Sequence, residues 1–286
     1  MTDRENYLRM VRFERPDYIP MSYCINGACW NAYPQEQLLD LMEAHPFLFP
    51  DFKRPELPFH PQIHPVARKG RPFRDDWGCI WETTCDGITG TVTGHPLEDW
   101  ERFSDYLPPD PEKVMGIGPI DWEKEAETIA QARKRGELVF RGLRHEHTFL
   151  QLCDIRGYEN LLFDMEDEEP CLDKLIDMVE QFNLALVRHY CSVGVDIINL
   201  QDLVNGIDWI RNHLAGKCCI ELDIDRQSVT VNGTPADIDR FIRSEVEALG
   251  SRQGGLCMIY GLYPGTPIEN AAAVMDAMEK YAFYFS

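Results

Sequence analysis

No run of apolar residues in this sequence approaches the roughly 18 that a membrane-spanning helix requires. Basic residues are scarce: 28 Lys and Arg stand against 48 Asp and Glu, a formal charge of −20. Nucleic acid is a poor partner for such a chain, because binding needs clustered cations to displace counterions. The longest basic cluster, Arg133, Lys134 and Arg135, is short and reads as a helix C-terminus facing its own dipole. The opening stretch MTDREN carries acids and no apolar h-region, so no signal peptide is expected and a cytoplasmic protein is predicted. No CxxC occurs, no GxGxxG follows a strand, and no internal repeat or low-complexity tract is found. These absences argue against a zinc ribbon, a dinucleotide-binding fold and a solenoid.

What is present is a chain of 286 residues, 44% of them apolar, enough for one domain over the whole length with a substantial core. Ten cysteines at irregular spacing read as mostly buried, reduced thiols. Cys24 with Cys29, or Cys79 with Cys85, could ligate a metal. Cys218 and Cys219 are adjacent and, on a strand, would point to opposite faces. Thr2 and Glu5 form a capping box for a first helix to about residue 13. A strand follows at 18–23, and Pro34 precedes a helix over 35–44. Seven prolines between 46 and 74 mark an irregular excursion, with one short strand expected near 47–52. A hairpin is expected from 79–81 and 88–93 around Asp86 and Gly87.

From residue 121 the chain alternates strand and helix. Strands are expected at 138–143, 195–200, 217–224 and 255–260, and helices at 121–136, 149–165, 170–192, 207–214, 234–250 and from 266. Repeated strand–helix order predicts an α/β fold with a parallel sheet wrapped by helices, and a TIM-type (β/α) barrel is preferred. His189 and Cys191 resemble a zinc-binding His-x-Cys, but they fall in the last turns of the helix over 170–192. Two helical residues that far apart in sequence diverge by about 200° and cannot share one ion. His189 is expected to face the helix dipole, and Cys191 to be a small core residue.

Several segments resemble one family. RENYLRMVRFERPDYIPM is similar to the first helix and strand of the uroporphyrinogen decarboxylase superfamily. DDWGCIWE, GHPLEDWERFSDYLPPDP and RGYENLLFDM are similar to its recurring segments, and GTPADIDRFIRSEVEALGSRQGG and YPGTPIENAAAVMDAMEKY to its last two helical units. The resemblance implies a (β/α)₈ barrel, here with six recognisable strands and two strand–helix units fewer, roughly 60 residues at about 30 per unit. It is closer to the branch of zinc-dependent, corrinoid-linked methyltransferases. The decarboxylases' arginine-bearing segment after the first strand is replaced by SYCINGACWNAY, which has no arginine. The methyltransferases' strand-end His-x-Cys and later zinc-binding cysteine are also missing, which leaves the cofactor unassigned, with zinc in doubt.

The working face of such a barrel lies at the C-terminal ends of its strands. Glu221, Asp223 and Asp225 alternate on CCIELDID and would share one face. Buried there, they would need cations, a metal or water. Asp223, Asp225 and His147 are the candidates for acid–base or metal work; Glu221, deeper, is expected to pair with an arginine. His145 and His147 flank Glu146 directly after a strand and could line a substrate site or hold a metal. Asn199 and Gln201 end the next strand as neutral amides, Tyr260 and Tyr263 flank the last one, and Asp76 and Trp77 lie in the family-like DDWGCIWE segment. These are the candidate substrate-binding residues.

Three functions follow as expectations. One is a methyltransferase-like enzyme acting on a small methylated molecule with a corrinoid protein as partner. The second is a porphyrinogen carboxy-lyase, disfavoured by the acidic surface. The third is a shortened, non-catalytic ligand-binding relative. An incomplete barrel would expose strand edges, so a second copy of the chain or the 46–74 segment is expected to cover them.

Overall fold

Thr2 opens the first helix by reciprocal bonding: Glu5 N donates to Thr2 Oγ1 (3.2 Å) and Thr2 N to Glu5 Oε2 (3.0 Å). The computed structural model describes residues 2–144, 148–199 and 207–286, without the side chain of Asn199. In chain order the elements are α1 (Asp3–Arg12), β1 (Met21–Ile25), α2 (Cys29–Ala32), α3 (Gln35–Ala44), β2 (Phe73–Arg74), β3 (Ile80–Glu82) and β4 (Thr91–Gly94). Then come α4 (Trp122–Lys134), β5 (Phe140–Gly142), α5 (Phe149–Arg156), α6 (Tyr158–Glu166), α7 (Pro170–Val193) and β6 (Ile197–Asn199). The chain finishes with α8 (Ile207–His213), β7 (Ile220–Asp223), α9 (Val229–Asn232), α10 (Pro235–Leu249), β8 (Leu256–Leu262) and α11 (Ile268–Ala282). They assemble into two compact units: Met1–Ile63 with Asp86–Ile88 and Val204–Ser286, and His64–Cys85 with Thr89–Leu203.

The first unit is built on a parallel ladder in the order β1-β8-β7. Tyr23 pairs with Tyr260, and Leu222 and Met21 both pair with Met258. Paired residues of parallel strands point to the same side, so alternation divides the ladder into two faces. One face carries Tyr23, Ile220, Leu256, Met258, Tyr260 and Leu262, which are buried with Ile238, Ile242 and Val246 of α10 and Val274 and Met278 of α11. The other carries Cys24, Gly261, Glu221 and Asp223. Thr234 caps α10 through the N–H of Asp237, whose carboxylate accepts from Thr234 N in return.

The strand expected near 47–52 is not formed. Leu48 N and Phe49 N both donate to His45 O (3.1 Å each), and Phe52 N to Phe49 O (3.1 Å), which are turns. Pro46 and Pro50 supply no N–H for a ladder and favour that outcome. Five strands therefore lie in parallel ladders, one fewer than the sequence reading expected.

In the second unit β5 pairs with β6 in parallel, and β2-β3-β4 form an antiparallel sheet. The expected hairpin is present, with β4 starting later than expected. Gly90 holds its tight return: a Cβ there would sit 2.0 Å from Glu82 O. Helix α7 buries Leu172, Leu175, Val179, Phe182, Leu186 and Tyr190 along one helical stripe, with Ile176 and Val187 half-buried at its edge. Behind it, the buried Arg156 donates from Nε to Asp164 Oδ2 (2.6 Å), while its guanidinium lies 4.6 Å from the Trp100 ring centre.

The fold is thus mixed α/β with parallel strands, but among the described residues the ladders do not close into a barrel. Two cysteine expectations change. Only Cys29, Cys79, Cys153 and Cys257 are buried, and Cys191 is exposed, because the last turns of α7 turn that side to water. His189 does not face the α7 dipole. Its Nε2 meets Glu112 Oε1 at 2.8 Å, and its ring stacks on Trp122 at 4.5 Å. Among the described residues no helix is long and apolar enough to cross a membrane.

Arg156→Ala strands the Asp164 carboxylate in a buried site, and the expected loss is about 3–5 kcal/mol in urea unfolding. Lys280→Ala, which removes the exposed partner of Asp239, is expected to leave the unfolding midpoint nearly unchanged. Equal effects of the two would contradict this account.

Candidate functional site

The chain leaves β7 at Asp223 and turns sharply. Asp225 makes that turn: its carboxylate accepts from the N–H groups of Gln227 (2.9 Å), Ser228 (3.1 Å) and Val229 (3.0 Å) and from the Ser228 hydroxyl. Thr230 Oγ1 donates back to Asp225 O at 2.8 Å. The turn carries Arg226 back over the strand tip, where Nη2 donates to Asp223 Oδ2 at 2.7 Å. The guanidinium carbon lies 5.2 Å from the Tyr263 ring centre, beyond the end of β8. Gly261 completes the contact, since a Cβ there would lie 3.5 Å from both Arg226 Nη1 and Cys24 Sγ. Asp223, Arg226, Cys24 and Tyr263 thus gather at the carboxyl ends of three adjacent parallel strands, where open α/β sheets place their ligands.

The electrostatics divide these groups. Cys24 is an exposed residue, yet the atoms packed around its sulfur push the thiol up. Arg226 pulls it down and Asp223 pushes it up again, so the thiol stays protonated near neutrality. Burial also pushes Asp225 up, but its hydrogen bonds from Ser228, Gln227 and Val229 outweigh that and hold it below the usual range. Behind the turn, on α10, Glu245 is 7% exposed, and its Oε2 meets no hydrogen-bond partner among the described residues. Burial, reinforced by the Asp225 charge, pushes this carboxyl to about 8.

The predicted residues fall into separate places. Asp223 and Tyr263 meet at the strand tips through Arg226. Asp225 is adjacent, with its carboxylate engaged by the turn. Tyr260 points the other way: its ring packs 5.2 Å from Tyr23 on the helix-covered face, and its hydroxyl is buried without a partner among the described residues. Glu221 shares the face of Asp223, in register with Cys257. His145, Glu146, His147 and Gln201 lie outside the described residues. Asn199 ends β6, opposite Gly142, with only its backbone described.

Asp76 and Trp77 belong to the second unit, where they line a cavity of ≈ 700 Å³ with Arg74, His95, Arg102 and Tyr106. Asp76 Oδ2 accepts from Gly118 N (2.8 Å), and the buried Trp77 ring packs edge-on against Phe182 at 5.0 Å. Both side chains therefore build the cavity wall. The cavity's arginines, Arg74 and Arg102, are exposed, its buried acid Asp75 is held by Cys79 N (2.8 Å) and Trp81 Nε1 (2.8 Å), and its two sequence candidates are committed to structure. The strand tips hold the better chemistry.

Arg226 was missed from the sequence. Its signal was its position, three residues after Asp223 and just past a strand end, where a turn can fold the side chain back. Arg226 comes from the turn after β7 and lies near Cys24 of β1. Asp223 at this end is already engaged by Arg226. Among the described residues no three His, Cys, Asp or Glu side chains converge as metal ligands.

No family model and no curated protein matches the sequence. Among solved structures, the fold is similar to a methyltransferase from Methanosarcina mazei, with a TM-score of 0.52 and 15% identity over 97% of this chain and 98% of that one. That likeness establishes a shared fold along almost the whole of both chains.

The folded-state value of Glu245 lies above its ordinary 4.5, so folding favours its protonated form. Its stabilising contribution is complete below about pH 4.5 and disappears as pH rises toward 8. Glu245→Gln should therefore stabilise the protein at pH 8 relative to wild type, on the order of a few kcal/mol, with a much smaller gain at pH 4.5. A pH-independent difference in urea midpoint would exclude the buried acid as the cause.

Proposed function

We propose that this chain is a methyltransferase-like enzyme of the uroporphyrinogen decarboxylase superfamily, taking a small methylated substrate at the tips of β1, β7 and β8 and passing the methyl group to a corrinoid protein. The observation that carries this reading is the Asp223–Arg226 pair, at 2.7 Å, set beside Cys24 and Tyr263 at the carboxyl ends of parallel strands. The fold shared with a methyltransferase supports it, as does the resemblance of the first and last segments to that superfamily.

The chemistry asks for little more than placement and charge. In methyl transfer the bond between the methyl carbon and its heteroatom breaks, and the electron pair stays on the heteroatom. The acceptor, with the corrinoid supplying the nucleophile, provides the pair for the new bond to carbon. Negative charge therefore grows on the departing heteroatom. Arg226 has N–H groups beyond the one given to Asp223, and a guanidinium fixed on two sides needs no reorganisation to stabilise that charge. Asp223 fixes the fork from one side, and the Tyr263 ring supports it from below. Cys24, kept as a thiol, is a polar wall and not a competing methyl acceptor.

A carboxy-lyase is the second reading, and one observation favours it: a cation does lie beside β1, where the resemblance calls for an arginine. A single guanidinium already paired with Asp223 is little for a polycarboxylate, which is why we place this reading second.

The test is methyl transfer to reduced free cobalamin, followed by its absorbance, from a panel of methylated amines and thiols bearing an anionic group. At least one donor is expected to react, and Arg226→Ala should lower kcat/KM by about 10²–10³, the usual cost of removing a preorganised donor. Arg226→Lys should recover only part of it, since the planar fork is lost. Turnover of a porphyrinogen with release of CO2, and no transfer to cobalamin, would overturn the reading in favour of the lyase.

A further inference from the structure

The opposite, amino-terminal end of the same ladder holds a different kind of chemistry. Cys219 immediately precedes β7 and Cys257 is the second residue of β8. Both lie on the face that does not pack on α10 and α11, because Glu221, two residues after Cys219, is in register with Cys257. Helix α1 covers this end. Its last turn is bonded to the sheet through Gly255 N, which donates to Met10 O at 2.9 Å. Met10 Sδ is thereby brought 3.2 Å from Cys219 Sγ, and Cys219 and Cys257 share one face of adjacent strands, each bearing on the other's titration. Tyr7, one turn earlier on α1, places its hydroxyl 3.3 Å from Cys257 Sγ. Met10 is fully buried and Cys257 is 2% exposed, whereas Cys219 is half-buried.

We infer that Met10, Cys219 and Cys257 form a three-sulfur site for a soft monovalent d¹⁰ metal ion, with Cu(I) the biological representative. Thiolate and thioether ligands select soft ions over zinc's harder competitors, and two thiolates with one thioether suit a three-coordinate centre. An ion about 2.3 Å from each sulfur separates the sulfurs by about 4 Å. The 3.2 Å contact of Met10 with Cys219 must therefore open by less than 1 Å, which a flexible methionine side chain absorbs easily. Binding releases one proton from each thiol, and the metal is neither oxidised nor reduced. The Tyr7 hydroxyl is placed to donate to the Cys257 sulfur once that sulfur is a thiolate. The site stands apart from the strand-tip proposal and does not depend on it. A purely structural role would explain the burial of Met10 and Cys257, but not a half-buried thiol set 3.2 Å from the Met10 sulfur.

The test is an anaerobic titration of the reduced full chain with Cu(I) buffered by bicinchoninate. Transfer of one Cu(I) per chain from the chelator is expected. X-ray absorption should show sulfur as the dominant neighbour. Cys219→Ser should weaken binding by more than the 10–100-fold typical of losing an outer partner, and Met10→Leu, which preserves the packing, should weaken it measurably. Cys218→Ser, one residue away and exposed, is the control and should leave it unchanged. Circular dichroism of each variant guards against misfolding. Retention of Cu(I) by the chelator, or equal losses in Cys218→Ser and Cys219→Ser, would overturn the site.

Discussion

The two-residue alternation of β8 is the constraint on which the first unit depends. Leu256, Met258, Tyr260 and Leu262 all lie in the core with Ile238, Ile242 and Val246 of α10 and Val274 and Met278 of α11. Parallel register then transmits the choice to both neighbours: Met21, Tyr23 and Leu222 go with the buried set, and Cys24, Glu221 and Asp223 go to the other face. A slip of one residue would drive Asp223 into the core and expel Met258. The polar face is therefore not an independent design feature. It is what remains once the helices have taken the apolar one, and every candidate residue on the ladder inherits its place from that division.

Three carboxylates near the tip of β7 show how surroundings assign different tasks to one functional group. Asp225 receives several backbone and hydroxyl hydrogen bonds and is held ionised as the keystone of a turn. Glu245, buried on α10, is held as the acid at neutral pH. Asp223 faces Arg226 at the edge of the site. The ionised Asp225 helps keep Glu245 neutral, and its turn is also what carries Arg226 to Asp223. The same short segment thus tunes a buried acid and places the cation that a substrate would meet.

The helices were legible in sequence wherever capping and periodicity agreed. Thr2 with Glu5, Asp121, and Thr234 followed by Pro235 marked true starts, and the apolar periodicity of 170–192 marked α7. The strand near 47–52 failed because an aromatic-rich run was given more weight than its two prolines. The candidate site was legible in part. Strand-end position pointed to Asp223 and Tyr263, which the structure brings beside Arg226, whereas strict alternation was extended two residues beyond the strand to Asp225, which is already in a turn. Tyr260 was misjudged for the converse reason: its face is set by helices far along the chain, and nothing local records which side of β8 they cover. Arg226 escaped notice because its side chain reaches the site by a backward turn that sequence periodicity does not express.

The two ends of the ladder also differ in a way that follows from what closes them. At the carboxyl ends each strand runs into a turn or loop, and exposed backbone there invites short polar side chains such as Asp225 to satisfy it. Charged groups can gather in such a place because water still reaches them. At the amino ends, α1 lies across the same face and buries Met10 and Cys257 while leaving Cys219 half-buried, so groups beneath it must tolerate lower polarity. Sulfur does so at little cost, being polarizable and only weakly hydrogen-bonding, whereas a carboxylate there would need a dedicated partner. The Asp223–Arg226 pair at one end, and the sulfurs beside Glu221 at the other, thus follow from one sheet face being open at its tips and partly covered at its base.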